Sequence, residues 1–92
     1  MIPMSIVRKK STLPTLTYKL QKPAPLVLYA YGGFGESTLP VFSSENMVLM
    51  NNLGGIFCVA NIRGGGEYGD KWHTDGNLDK KQNSFDDFIY AA

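Results

Sequence analysis

Apolar and polar side chains alternate near the start of the chain, with Ile2, Met4 and Ile6 on one face and Pro3, Ser5 and Val7 on the other. A period of two over residues 2–9 predicts a half-buried strand of antiparallel type. Residues 10–25 are rich in Ser, Thr and Lys and hold Pro14, Pro23 and Pro25, which predicts a loop leading into the next strand. The pattern then changes. Leu26–Tyr31 is apolar throughout and ends at Gly32-Gly33, and Ile56–Ile62 has the same character and ends at Gly64-Gly65-Gly66. Unbroken runs of this kind predict strands buried on both faces, as in parallel sheets covered by helices.

A helix is expected between the two runs. Ser43 is placed to cap its start, and Phe42 and Met47 occupy the two positions of a hydrophobic staple. Met47, Met50 and Leu53 recur on one face, and Gly54 stands where a helix-ending glycine belongs. Strand, helix and strand make a βαβ unit. Near the end of the chain, Ser84–Asp87 has the form of an acidic capping box, with Asp86 and Asp87 expected in the first turn and Phe85, Phe88 and Ile89 on the buried face. That pattern stops at Ala92 without a cap glycine, which leads to the expectation of an incomplete domain. The fold class expected is α/β.

Composition narrows the function classes. The 92 residues are 43% hydrophobic and 18% charged, with net charge +1. Such a balance gives no electrostatic basis for binding nucleic acid or an anionic membrane. Arg8-Lys9-Lys10 is short enough to be a solvated strand end. No stretch approaches the roughly 20 apolar residues of a membrane span, and no apolar leader segment opens the chain. Cys58 is the single cysteine and lies inside an apolar run, as a small core residue of a protein kept in a reducing compartment does. A cytoplasmic location follows as the expectation.

Several candidate chemistries can be weighed on the residues. Gly64-x-Gly66-x-x-Gly69 has dinucleotide-binding spacing, with Asp86 and Asp87 further on. That mechanism needs a helix to open in the glycine turn, and residues 67–76 contain too many breakers and aspartates, so a long loop is expected there. His73, the only histidine, precedes any position where a nucleophile elbow would fall, and no Gly-x-Ser-x-Gly is present. It is expected to be a structural hydrogen-bonding group. One His and one Cys do not make a zinc site, and Glu67, Asp70 and Asp75 are expected to be solvated, so neither a metal nor a cofactor is expected.

Tyr31 stands apart. It ends a parallel strand, where ligands of open α/β sheets bind, and two glycines follow that permit a sharp turn and a close approach of another segment. A phenol is a neutral donor at pH 7, suited to stabilising an oxyanion. Spacing leaves two readings open: a donor at a site, or a ring packed under the sheet. Phe34, just past the turn, is either a pocket wall or a loop anchor.

Residues Ile2–Val7, Tyr29–Phe34, Val59–Gly69, Lys71-Trp72-His73 and Lys81–Phe88, occurring together and in order, resemble the peptidase domain of the prolyl oligopeptidase family. The resemblance covers nearly the whole chain. It implies a partial α/β-hydrolase fold, with residues 1–92 forming the N-terminal fragment of the catalytic domain. It further implies a cytosolic serine peptidase that cleaves short peptides after proline and pairs this domain with an upstream β-propeller. Gly33-Phe34 is similar to the prolyl enzymes rather than to the relatives that cleave after basic residues. By position, Tyr31 matches the tyrosine of the family's oxyanion hole, and Phe34 a phenylalanine of the proline pocket. The family's serine, aspartate and histidine would lie beyond Ala92, so this chain is expected to be inactive alone. Two other classes stay open: a truncated, non-catalytic module that binds a protein partner, and a dinucleotide-binding protein.

Overall fold

A computed structural model describes residues 1–12 and 22–92. Residues 13–21, and with them Pro14 and most of the loop expected over 10–25, lie outside the described residues. Three strands form one mixed sheet: β1 (Met4–Arg8), β2 (Leu26–Tyr29) and β3 (Ile56–Ala60), in the order β1-β3-β2. β1 runs antiparallel to β3, with Ile6 opposite Cys58, and β2 runs parallel to β3, with Leu28 opposite Cys58. The alternating segment is thus antiparallel and the two continuous runs are parallel to each other, as their patterns predict.

Burial divides the two apolar runs. β3 is the core, with Ile56, Cys58, Val59 and Ala60 buried, and Ile62 just beyond it buried as well. β2 is not buried on both faces as expected. Leu26, Val27 and Tyr29 are exposed, because β2 has β3 on one side and no strand on the other among the described residues. An unbroken apolar run reports the capacity to be covered, and position in the sheet decides whether covering happens. β1 is likewise only half covered, with Met4, Ile6 and Val7 all exposed.

Helix α1 (Ser44–Asn52) joins β2 to β3, completing the βαβ unit. Ser43 is its N-cap, accepting a hydrogen bond on its side chain from the Asn46 backbone N–H at 3.4 Å. At the other end Gly54 turns at φ 62, and the Gly55 N–H donates to the Leu49 carbonyl at 3.0 Å. Met50 is the buried residue of the expected face, whereas Leu53 is exposed, since it is the C-cap rather than part of the helix body.

The segment expected to be a long loop contains a short helix, α2 (Asp70–Thr74), followed by a 3₁₀ turn at Leu78–Lys80. Five residues escape a propensity argument because they are held from outside: the Trp72 indole N–H donates to the Ile62 carbonyl at 3.1 Å, and the Trp72 carbonyl accepts from Gly64 N–H at 3.0 Å. The Tyr68 and Trp72 rings meet edge to face, with centroids 5.1 Å apart.

The last helix, α3 (Gln82–Ala91), departs most from expectation. It begins at Gln82, so Ser84 is inside it rather than its cap, and neither Asp86 nor Asp87 falls in its first turn. The buried side chains are Ser84 and Asp87, while Phe85, Phe88 and Ile89 are exposed. Polar attachment points for these two side chains, supplied by the loop after β3, outweigh the apolar stripe. Ser84 Oγ donates to the Arg63 carbonyl at 2.5 Å and approaches the Gly76 carbonyl at 3.1 Å, while Asp87 accepts from the Arg63 N–H and guanidinium.

Candidate active-site edge

Because β2 and β3 are parallel, their carboxyl ends lie at the same edge of the sheet, and the two glycine-rich stretches that follow them meet there. They interlock through the backbone. Gly35 N–H donates to the Gly64 carbonyl at 3.1 Å, and Gly66 N–H donates to the Glu36 carbonyl at 3.1 Å. A Cβ at Gly66 would strike the Gly35 carbonyl, and one at Gly64 would strike the carbonyl of Gly32. Gly32 itself sits at φ 61 against the side chain of Ile62, which is the close approach that the paired glycines after Tyr31 predict.

Gly64 and Gly66 are therefore packed against protein backbone, which accounts for these glycines without a dinucleotide. A short helix does open after Gly69, as α2. Gly64 also lies at φ 102, where a side chain is strained, and a Cβ there would come within 2.9 Å of the Gly76 carbonyl. Gly64→Ala is expected to destabilise the chain by about 3 kcal/mol through backbone strain and overpacking. Urea denaturation followed by Trp72 fluorescence would show this as a lowered midpoint.

A cleft of about 840 Å³ opens on this edge, lined by Tyr29, Tyr31, Phe34, Glu36, Val41 and Phe57 among others. Tyr31 is 49% exposed and lines this cleft. Phe34 is 88% exposed and takes φ 52, the left-handed region that a bulky side chain avoids. The turn is closed by Glu36 N–H donating to the Gly33 carbonyl at 3.0 Å, with both central residues, Phe34 and Gly35, at positive φ. Neither burial nor backbone preference accounts for a phenylalanine here.

The remaining candidate residues are structural in their contacts. His73 Nδ1 lies 2.8 Å from the Gly64 carbonyl and Nε2 lies 3.4 Å from the Asn77 amide, so both ring nitrogens face protein groups. Cys58 is buried in β3, and burial pushes its thiol up, away from the reactive thiolate. Among the described residues no group of three His, Cys, Asp or Glu is placed to hold a metal ion. Asp75 pairs with Lys71 and Lys80 rather than standing alone in solvent.

Three charged residues, Arg63, Asp87 and Glu67, gain roles that sequence reasoning missed. Arg63 forms a two-pronged ion pair with Asp87, Nη2 to Oδ1 at 2.7 Å and Nε to Oδ2 at 2.8 Å. Burial pushes the Asp87 carboxyl up, but the hydrogen bonds and charge of Arg63 outweigh it and hold the group below its ordinary value. Glu67, expected to be solvated, is instead half-buried: Oε1 accepts from Thr38 N–H at 3.0 Å and from Asn61 Nδ2 at 3.2 Å. Local sequence offered no signal for the Arg63–Asp87 pair or for the Thr38–Glu67 contact, since these partners lie more than 20 positions apart.

A mixed sheet with a βαβ crossover, a tyrosine two residues past the end of β2 and glycine-rich loops gathered at one edge defines part of an α/β-hydrolase domain. Comparison with known proteins specifies which kind. A profile of the prolyl oligopeptidase family matches residues 40–92. The prolyl endopeptidase of Elizabethkingia miricola is 50% identical over 91 residues, and prolyl oligopeptidase A of Galerina marginata is 48% identical over the same length, each match covering 99% of this chain. Among solved structures, a prolyl endopeptidase superposes with TM-score 0.82 at 49% identity, and a post-proline cleaving enzyme of Rickettsia typhi with TM-score 0.82 at 40% identity, each covering 98% of this chain. The chain spans about 12% of the length of these relatives. It belongs to the prolyl oligopeptidase family and corresponds to the N-terminal part of the peptidase domain.

Proposed function

We propose that residues 1–92 form the first segment of a serine peptidase domain that cleaves short peptides after proline. In this reading Tyr31 donates its hydroxyl to the oxyanion of the tetrahedral intermediate, and Phe34 forms a wall of the proline pocket. A serine attacks the carbonyl after proline and a histidine moves the proton, with the tyrosine and a backbone N–H holding the negative charge. The nucleophile, its histidine and the orienting aspartate come from polypeptide outside this sequence, as does the paired propeller. The unpartnered Cys58 supports a reducing, cytoplasmic setting.

The observation that carries the reading is the joint position of Tyr31 and Phe34 in one open cleft at the carboxyl edge of parallel strands. Strain at Phe34, with its ring almost fully exposed, supports a role outside folding.

Grafting this chain in place of the matching segment of the Elizabethkingia enzyme tests the proposal. The graft is expected to release fluorophore from a Gly-Pro substrate, while the 92-residue chain alone releases none. A graft that folds and does not cleave would overturn the peptidase reading in favour of a non-catalytic module. Turnover by the chain alone would overturn the division of labour. Exposed apolar residues on β2 and α3, among them Leu26, Val27, Phe85 and Ile89, are what such a module would offer a protein partner.

A further inference from the structure

The loop from Tyr31 to Thr38 is held at its two ends by different polar groups. At the Tyr31 end, Lys81 Nζ donates to the Gly32 carbonyl at 2.5 Å, and Gly32 is wedged against Ile62. At the other end both backbone groups of Thr38 are captured. Its N–H donates to Glu67 Oε1 at 3.0 Å, and its carbonyl accepts from Asn61 Nδ2 at 2.9 Å. Asn61 Nδ2 also reaches Glu67 Oε1 at 3.2 Å, so three groups close into one network. Glu67 Oε2 is buried and has no hydrogen-bond partner among the described residues.

From this we propose that Glu67 and Asn61 are positioning residues that set the mouth of the cleft. They do so by clamping Thr38, which lines the cleft together with Glu36, Ser37 and Leu39. Neither side chain lines the cleft itself. The clamp acts at the half of the loop where Glu36, Ser37, Thr38 and Leu39 line the cleft, whereas Tyr31 is next to the Gly32 carbonyl held by Lys81. Its loss therefore weakens uniform binding of substrate and leaves the oxyanion donor in place. The function needed from Glu67 is that of an acceptor oxygen rather than a charge, because one oxygen serves both donors and the other serves none.

The kinetic consequence rests on the peptidase reading, and the structural one does not. In the grafted enzyme, Glu67→Ala is expected to raise KM for the Gly-Pro substrate roughly tenfold, with kcat little changed, as expected for lost uniform binding. Glu67→Gln keeps an acceptor oxygen and is expected to hold KM within about threefold of the parent. A fall in kcat at unchanged KM, no effect of Glu67→Ala, or a Gln variant as impaired as the Ala variant would each overturn the proposal. Amide hydrogen exchange separates the two readings. If the Thr38 amide loses protection in Glu67→Ala and keeps it in Glu67→Gln, the clamp stands even where the graft does not cleave, and only the peptidase reading falls. A Thr38 amide indifferent to both changes overturns the clamp outright. Should Glu67→Ala fail to fold, Asn61→Ala carries the comparison, since it removes the Thr38 carbonyl contact and leaves the N–H contact intact.

Discussion

Tyr31→Phe in the grafted enzyme is expected to lower kcat on a Gly-Pro substrate by roughly one to three orders of magnitude, with KM much less affected. The argument is geometric. The ring is half-exposed and lines the cleft, so removing its oxygen opens no cavity in the core. On the proposed reading, what is lost is a donor to charge that exists only in the transition state, and such a loss falls on kcat. Stability is expected to stay within about 0.5 kcal/mol of the parent, as for other exposed positions. An unchanged kcat with an intact fold would show that the oxyanion is held by other donors. A fall in kcat accompanied by an equal loss of thermal stability would show that the ring, rather than the hydroxyl, is what matters.

The second large effect is on folding. Arg63→Met is expected to destabilise the chain by about 2–3 kcal/mol, read as a lowered urea midpoint through Trp72 fluorescence. Asp87 has 3% side-chain exposure, so losing the guanidinium leaves a carboxylate buried beside a single remaining backbone N–H at 3.0 Å. The figure sits below the usual cost for a fully buried pair because Arg63 is 30% exposed and water reaches the site when it is truncated. The pair also has a pH signature. Its contacts with Arg63 lower the Asp87 carboxyl in the folded chain, so the stability it contributes is complete above the unfolded carboxyl's pKa of about 3.9. That contribution drains away as pH falls through the lower, folded value. The stability gap between the parent and Asp87→Asn is therefore expected to narrow as pH drops from about 5 toward 2. A gap that stays constant over that range would mean the charge on Asp87 contributes nothing to folding.

The second effect depends on contacts across the chain, and this separates what local patterns report from what they do not. The period-two alternation in residues 2–9 and the unbroken runs at Leu26 and Ile56 correctly indicated one antiparallel and two parallel strands, because strand type follows from which faces can be covered. Ser43 and Gly54 marked the limits of α1, since capping is a matter of a few adjacent residues. The same local logic misplaced α3. Ser84 and Asp87 look like a helix start, yet they lie inside the helix and point into the protein, because Arg63, Gly76 and their backbone groups are available only once the chain has folded. Glu67 was misread as a solvated acid for the same reason: Thr38 is 29 residues away.

By itself, the order of residues determined the family, the strand types and the βαβ unit, and it singled out Tyr31 and Phe34 as candidates, all of which depends on neighbours within a few positions or on blocks recurring together. Only the tertiary structure decided that β3 is the one buried strand of the three described, that Gly64 and Gly66 are packed against backbone, and that Arg63, Asp87, Asn61 and Glu67 brace the edge on which Tyr31 stands. The physical reason is distance along the chain. A hydrogen bond or an ion pair between residues 20 or more positions apart exists only after the sheet has brought two loops to the same edge.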